Sequence, residues 1–300
     1  MAEEAKSTEE IQAAANDIRK RILRFALDRN GCYLTQACSS AEIVSTLFLR
    51  SLKFNPSIGD RHAQPFPGVP SRDNMDYPKG WYYYGELTPD RDRLFVSCCH
   101  YAAVIYCALV EAGRMDEDAL DKFNVDGWNM EMIGAEHSPG FENTAGSLGQ
   151  TVSIAAGVAH AYKMEGKPGR IFCMLSDGEL QEGQDWECFD LASYLKLDNF
   201  TVIADINHQQ LEGWTKDCVD IEPLDKRFEA FGWKVLRING HDIDAIDRAV
   251  QTPHPMQPMV ILCDTNPAQG IPLLEDMVPK HFVRIPADKK DAFEAFYAQM

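Results

Sequence analysis

One stretch of the sequence, residues 171–207, constrains the fold more than any other. Its five apolar residues 171–175 run directly into Ser-Asp-Gly, which is typical of a buried parallel strand that stops at a tight turn. The segment from about 184 to 196 is predicted to be a helix, whose apolar stripe is formed by Cys188, Leu191, Ala192 and Leu195. A second apolar run, 200–206, ends at Asn207. The pattern predicts one βαβ unit.

This βαβ unit also predicts a metal site. Right-handed crossovers make the two strands parallel, so Asp177 and Asn207 leave the same carboxyl edge of the sheet, where open α/β sheets bind ligands. An Asp oxygen, an Asn oxygen and the main-chain carbonyl of Gln209 are three hard oxygen ligands with one negative charge. Mg²⁺ commonly completes such a set with phosphate oxygens and water, so a diphosphate is expected. Gly178, which has no Cβ, lets main-chain N–H groups approach that anion.

Composition and charge limit the class of protein. The chain has 300 residues of which 45% are hydrophobic, and one α/β domain over residues 1–300 is favoured over two small ones. The net charge of −17 argues against a nucleic-acid partner, because binding to a phosphate backbone requires a broad basic surface. Nine scattered cysteines without a C-x-x-C pair or a signal-peptide pattern predict a cytoplasmic protein with reduced thiols. The apolar runs are too short to span a bilayer, so no membrane association is expected.

The central segment resembles the thiamine-diphosphate motif of transketolases. In that family Gly-Asp-Gly is followed at a similar spacing by Asn; here Ser176 replaces the first Gly, and the flanking Glu-Leu-Gln-Glu-Gly-Gln and Leu-Lys-Leu-Asp-Asn-Phe also match. The resemblance implies the thiamine-diphosphate-binding fold, with a parallel sheet flanked by helices; the apolar runs predict about five strands. It implies thiamine diphosphate and Mg²⁺ as cofactors, with four residues of the motif in contact with them: Asp177, Gly178, Glu179 and Asn207.

Two histidines match phosphate-contacting histidines of the family. His100 follows a predicted strand and precedes a helix, where a neutral imidazole can donate to a phosphate beside the helix N-terminus. The segment 90–100 is similar to the family's Asp-Arg-Phe-x-x-Ser-x-Gly-His, which implies that His100 contacts the cofactor diphosphate and the substrate. The segment 266–281 resembles the stretch that ends in Trp-His-Gly, which implies that His281 contacts a cofactor phosphate, although Lys280 and Phe282 replace its neighbours.

Two further segments carry roles that the resemblance implies. Residues 139–150 resemble the family's Pro-Gly-x-x-x-x-x-Gly-Ser-Leu-Gly-Gln, whose main chain lies against the aminopyrimidine ring; the matching residues are Gly146, Ser147 and Leu148. His137 stands in for a family histidine that meets a substrate hydroxyl, although it lies closer to the Pro-Gly pair. Glu182 and Glu187 match glutamates of a buried acidic network between two active sites. The alternative is a solvated helix start that complements the macrodipole.

The chain departs from the family at two places. Transketolases carry Ser-Gly-His, with a substrate-contacting histidine, where the nearest alignment places Tyr33; this tyrosine either contacts the substrate or packs. The Ala-x-Ser-Ser-Ala that follows is closer to the first component of homodimeric pyruvate dehydrogenase complexes. The second departure is a long inserted loop near 55–90, rich in Pro and Gly, with the aromatic run 81–84. Such a loop is either functional or interface-forming, or its aromatics attach it to the surface.

The resemblance implies a transferase that moves a two-carbon ketol unit from a ketose to an aldose, with a sugar or sugar phosphate as substrate. Two alternatives stay open: a decarboxylase or dehydrogenase component for a 2-oxo acid with the same cofactor, and a non-catalytic binding or regulatory subunit. The resemblance covers the diphosphate-binding half of the family architecture. The expectation is therefore the N-terminal subunit of a split transketolase, active only with a second subunit that carries the pyrimidine-binding domain, in a heterotetramer with two copies of each.

Overall fold

The centre of the molecule is a five-stranded parallel sheet. The computed structural model describes residues 5–69, 71–75 and 77–300. The sheet has the order β1-β2-β3-β7-β6, and all neighbouring strands are parallel. Its strands are Arg93–Val96 (β1), Ile171–Ser176 (β2), Phe200–Ile206 (β3), Lys234–Asn239 (β6) and Met259–Asp264 (β7); the pair Gln209–Gln210 (β4) and Gly213–Trp214 (β5) forms a separate antiparallel hairpin. The predicted parallel sheet is confirmed.

Most α-helices of the described residues lie in two layers on the sheet. The described α-helices are Thr8–Asp28 (α1), Leu34–Thr46 (α2), Ala102–Glu111 (α3), Thr151–Met164 (α4), Gly183–Tyr194 (α5), Thr215–Cys218 (α6), Leu224–Ala230 (α7), Ile243–Val250 (α8) and Lys290–Tyr297 (α9). One apolar core joins α1, α2, α3, α8 and α9 to the sheet, and the other joins α4, α5 and α7. Successive residues of β2 enter opposite cores, Phe172 the first and Cys173 the second, as side-chain alternation along a strand requires.

Strand register places the predicted site residues together. Every residue of β2 and β3 is buried, as a continuous apolar run in the middle of a parallel sheet demands. Ile171 pairs with Phe200 and Ser176 pairs with Asp205, so both strands end at the same edge. Asp177 and Asn207 follow there, which confirms the expected βαβ geometry.

The apolar stripe of the helix between these strands differs from the prediction. Helix α5 buries a stripe made of Asp185, Cys188, Phe189 and Ala192. Leu191 was expected in the stripe, but it is 56% exposed, so that expectation is wrong. Burial of the large Phe189 ring rotates the helix so that the i, i+3, i+4 and i+7 positions from Asp185 face the core. Leu191 then lies on the outer face.

The 55–90 segment is held against the rest of the molecule by polar contacts to its main chain and by buried tyrosines. Pro70 and Asp76 of this loop lie outside the described residues. Nη1 of Arg114 donates to the carbonyls of Asn55 at 2.9 Å and Tyr83 at 2.8 Å, and the buried Tyr84 hydroxyl donates to a carbonyl at 140. At Gly80 a Cβ would lie 2.0 Å from the carbonyl oxygen of Ser138, so only glycine permits this approach. The loop is therefore closely packed at 80–84.

Across the described parts of the chain, none of the helices has both the length and the apolar character needed to cross a membrane.

Candidate functional site

A cavity of about 480 Å³ opens at the carboxyl edge of the sheet. Most of the predicted site residues line it: His100, Gly146, Leu148, Gly178, Glu179, Glu182, Gln209 and His281. Tyr33 and Cys99 lie in the same wall. Another cavity, of about 420 Å³, is lined by residues of the 55–90 loop and by none of the predicted site residues. The strand-end cavity is therefore the candidate site, and it is called the cleft below.

Asp177 lies beneath the cleft floor, and the donors that hold its carboxylate are all neutral among the residues that the structure describes. Its Oδ2 accepts from the main-chain N–H of His208 at 2.6 Å and from the hydroxyl of Thr215 at 3.2 Å, and its Oδ1 accepts from the N–H of Gly178 at 2.9 Å. The residue is 2% exposed, and burial, with Asp205 as a further cause, raises the pKa of Asp177 to about 8. A cation beside this carboxylate would offset the cost of its buried charge.

Asn207 is oriented by a buried acid. Its Nδ2 donates to Oδ2 of Asp205 and to the hydroxyl of Tyr101, both at 3.1 Å. With its nitrogen engaged there, the amide presents its Oδ1 on the opposite side, where it accepts from the N–H of Gln209 at 3.0 Å. Asp205 has no exposed surface and accepts from three hydroxyls, those of Ser39, Tyr101 and Thr265. The network therefore fixes which end of the Asn207 amide can face a cation.

The buried side-chain amide of Gln209 is a feature of the site that was not predicted from the sequence. Its main-chain oxygen lies 3.9 Å from the position that a Cβ on Gly178 would occupy, so the hairpin carbonyl adjoins the Asp177 turn. Its side chain is 1% exposed, and neither polar atom of the amide has a hydrogen-bond partner among the described residues. A buried amide without partners is costly unless a ligand or water satisfies it. No periodicity or motif marks this side chain, because the family resemblance uses only the carbonyl.

Two neutral imidazoles and a phenol form one side of the cleft. The ring centroids of His100 and His281 are 4.7 Å apart, and the Tyr33 ring lies 5.1 Å from the first and 5.6 Å from the second. Burial lowers the pKa of His281 to about 4, and burial with the neighbouring His281 lowers the pKa of His100 well below its usual value. Nε2 of His100 is buried and has no partner among the described residues. The Gln36 side-chain amide lies 2.8 Å from Nδ1 of His281.

A buried glutamate closes the back of the cleft. Oε1 of Glu179 accepts from the N–H of Gly149 at 2.9 Å and from the Ser97 hydroxyl, and Oε2 has no partner among the described residues. Burial raises the pKa of Glu179 to about 7. Asp185, in the first turn of α5, has no exposed surface, and neither of its oxygens has a partner in the described chain. Asp185 was not among the predicted site residues, although its position three residues before Cys188 would have placed it on the buried stripe.

Five of the predicted residues do not line the cleft. Two of them, Asp177 and Asn207, are buried at the strand ends next to it. Ser147 and Glu187 are exposed, the first in the loop before α4 and the second on α5. His137 is buried, with its Nε2 2.8 Å from Oε2 of Glu131 and its ring in an edge contact with Phe66 at 5.1 Å. Glu182 lines the cleft from the start of α5 but is itself exposed. The single chain therefore does not bury an acidic network around Glu182 and Glu187.

Comparison with known proteins identifies the family. Residues 85–295 match the family model described as transketolase, thiamine diphosphate binding domain. This chain belongs to the transketolase family. The predicted family and its thiamine-diphosphate-binding fold are thereby confirmed.

Three relatives match this chain over nearly its whole length. A putative uncharacterized transketolase family protein of Sinorhizobium fredii is 37% identical, over 90% of this chain and 89% of that protein. The 6-deoxy-6-sulfo-D-fructose transketolase subunit SqwG of a Clostridium species is 30% identical over 92% of both chains. One of the apulose-4-phosphate transketolase subunits of Actinobacillus succinogenes is 31% identical, over 90% of this chain and 89% of that protein. Relatives of matching length thus include proteins named as transketolase subunits.

The fold matches one part of longer transketolases. The crystal structure of transketolase from Campylobacter jejuni superposes with a TM-score of 0.76 at 28% identity. The match covers 98% of this chain and 46% of that chain, so this transketolase-family chain spans a little less than half the length of that relative.

Proposed function

We propose that this chain is the thiamine-diphosphate-binding subunit of a transketolase, which transfers a two-carbon ketol unit from a ketose to an aldose together with a partner subunit. The observation that carries the proposal is the arrangement of Asp177 and Asn207. A buried carboxylate held by neutral donors and an amide with its nitrogen engaged adjoin at two strand ends. The nearby residues Gly178 and Gln209 line a cleft with two neutral imidazoles.

The donor set fits Mg²⁺ and a diphosphate. An Asp177 oxygen, the Asn207 Oδ1 and the main-chain oxygen of Gln209 are hard ligands without nitrogen or sulfur, and they leave coordination positions for phosphate oxygens and water. Burial raises the pKa of Asp177, and a cation beside the carboxylate would favour its ionised form. His100 offers a buried ring nitrogen that has no partner in the described part of the chain, which suits a phosphate oxygen at the start of the helical segment.

The remaining contacts are those that the family resemblance implies. The main chain of Gly146, Ser147 and Leu148 would contact the aminopyrimidine ring, and Gly178 and Glu179 would adjoin the diphosphate. His281, in ring contact with His100, would contact a phosphate as well. Bound thiamine diphosphate supplies the carbanion-stabilising chemistry of ketol transfer.

His100 and His281 would stabilise negative charge that develops during the reaction. Because burial keeps His100 and His281 neutral, each ring can donate one N–H to an oxygen that becomes negative during the reaction. The residues that line the cleft include neither Lys nor Arg. The part of the substrate bound here would therefore be its hydroxyl-bearing reacting end, and any phosphate would be held by the partner. Roles for His137, Glu182 and Glu187 would require the assembly. In the single chain, His137 and Glu187 do not line the cleft, and Glu182 lines it but is exposed.

A cytoplasmic setting and a partner subunit complete the proposal. The two relatives named as subunits have nearly the same length as this chain. Helices α4 and α5 expose large apolar side chains, of which Tyr194 is 81% exposed; they are Ile154, Met164, Leu191 and Tyr194. Exposed apolar side chains of this size suit a contact with another chain. We propose a heterotetramer, with two copies of this chain and two of a subunit that carries the pyrimidine-binding domain. All nine cysteines are free, as a reducing compartment requires.

Product analysis tests the proposal. The chain is co-expressed with a pyrimidine-binding partner, and the complex is incubated with Mg²⁺, thiamine diphosphate and a panel of ketoses and aldoses. We expect the donor ketose to become an aldose two carbons shorter and the acceptor aldose to become a ketose two carbons longer, with no carbon dioxide released. Carbon dioxide release from a 2-oxo acid would instead identify a decarboxylase. Absence of turnover with all substrates, despite cofactor binding, would favour a non-catalytic subunit.

A further inference from the structure

One buried carboxylate oxygen joins chain segments that lie far apart in the sequence. Oε1 of Glu179 accepts from the hydroxyl of Ser97, 82 positions away, and from the main-chain N–H of Gly149, 30 positions away. Glu179 is 1% exposed and Ser97 has no exposed surface, so water does not compete for either bond. Bonds of this kind are charge-assisted when the carboxyl is ionised and are stronger than those between neutral groups.

Each joined segment carries proposed cofactor contacts. Ser97 follows β1 directly and lies three residues before the first proposed histidine. Gly149 directly follows the loop that is proposed to contact the aminopyrimidine ring. Glu179 follows the proposed metal-binding turn. The proposed contacts on the three segments are His100, Leu148 and Asp177. Glu179 therefore lies where the ring-binding part and the diphosphate-binding part of the cleft meet.

The loop before α4 depends on this attachment. Gly149 has φ of +82°, a conformation that residues with a side chain rarely adopt, and its N–H is buried. Its carbonyl accepts from Nε2 of Gln184 at 3.2 Å, so the main chain of this residue is held from both sides by residues of the turn and helix that follow β2. Without the Glu179 carboxylate this buried N–H would lose its acceptor, which is costly enough to shift the loop.

We propose that Glu179 is a positioning residue, whose Oε1 sets the separation between the 146–148 loop and the diphosphate-binding turns. The proposal rests on the proposed cofactor function and adds a residue that acts by holding the cleft rather than by chemistry. An amide oxygen in the same place can accept both hydrogen bonds, whereas a methyl group accepts neither. Glu179→Gln should therefore preserve the arrangement of the cleft, whereas Glu179→Ala should disturb it.

Two measurements on the purified full-length chain test this role. The first is hydrogen exchange, by mass spectrometry, of a peptide that covers residues 145–151 in the absence of ligand. The second is the affinity for thiamine diphosphate in the presence of Mg²⁺, by calorimetric titration. We expect E179Q to keep slow exchange and to bind within about twofold of the wild type. We expect E179A to exchange faster and to bind about 10-fold or more weakly.

Further variants keep the test decisive. Ser97→Ala removes one of the two hydrogen bonds to Glu179 and should produce a smaller effect of the same kind. This variant replaces E179A in the test if E179A does not fold. Asp190→Asn, an exposed site on α5, is the matched acid-to-amide control and should change neither measurement. Wild-type exchange and affinity in E179A would overturn the proposal, as would E179Q behaving like E179A. If the wild type itself binds no thiamine diphosphate, the proposed function fails, while the exchange comparison still decides the role of Glu179.

Discussion

The amide nitrogen of Asn207 lies 3.1 Å from Oδ2 of Asp205, and this contact determines which end of the amide faces the proposed metal site. Asp205 can hold it because three hydroxyls from distant segments compensate its own burial, so the acid stays in place without touching the ligand. The orientation of a metal ligand is thus set by a residue one layer further inside the protein.

Removal of one hydroxyl from this network should weaken the metal site. Tyr101→Phe keeps the ring but deletes the group that donates to Asp205 and accepts from Asn207. We expect Mg²⁺-dependent binding of thiamine diphosphate to weaken by about 10-fold, since one hydrogen bond to a charged group is lost. Tyr106→Phe, whose hydroxyl donates at 2.9 Å to the carbonyl of Glu131, is the control and should bind normally. Equal affinities in the two variants would show that Asn207 is held by other means.

Loss of either proposed side-chain ligand should abolish cofactor-dependent activity. Asp177→Ala and Asn207→Ala each remove an oxygen from the Mg²⁺ site, and both residues follow strand ends, so we expect the sheet to stay folded by circular dichroism. Titration with Mg²⁺ and thiamine diphosphate should show no saturable binding. Asp190→Ala on the exposed side of α5 is the control. Cofactor binding at wild-type strength in both ligand variants would refute the metal assignment.

His100→Ala should lower turnover of the assembled enzyme by about 10²-fold or more, because the proposed role is to stabilise negative charge that develops during the reaction. The check is the turnover number at saturating cofactor, so that weaker phosphate binding does not hide the effect. His62→Ala, exposed on the 55–90 loop, should keep full activity. A wild-type rate in H100A would leave His100 with a packing role beside Tyr33 and His281.

Asp185 should make the stability of the protein depend on pH. Burial, with Glu179 and Glu182 as further causes, raises the pKa of Asp185 to about 8 from an unfolded value of about 3.9. The native state then binds one more proton than the unfolded state between these values, so this contribution is complete below pH ~4 and is lost as the pH rises through ~8. Asp185→Asn should gain a few degrees in Tm over the wild type at pH 9 and less at pH 5. A difference in Tm that does not vary with pH would contradict this account.

Sequence patterns predicted which residues lie at the carboxyl edge of the sheet, but not the hydrogen bonds that orient them. The positions of Asp177 and Asn207 follow from strand order and the handedness of crossovers, which depend on local runs of apolar residues. The hydroxyls on Asp205 come from positions 39, 101 and 265, and no local pattern joins residues so far apart. The orientation of Asn207 was therefore beyond a sequence-based prediction.

Helix periodicity alone was ambiguous at α5. The stripe through Leu191 and the stripe through Phe189 both have helical spacing, and only the packing of the Phe189 ring among Trp186, Phe228 and Trp233 decides between them. Asp185 was missed for a different reason, because a carboxylate is not expected on a buried stripe. Both differences arise where tertiary packing overrides a local pattern.

The most direct test of the central claim is the rate of two-carbon ketol transfer, measured with Mg²⁺ and thiamine diphosphate for three samples: this chain by itself, a pyrimidine-binding partner by itself, and the two co-expressed. We predict weak cofactor binding and no turnover for this chain by itself. We predict turnover for the co-expressed pair, with a mass by light scattering that corresponds to two copies of each chain. Full activity of this chain without the partner would contradict the account.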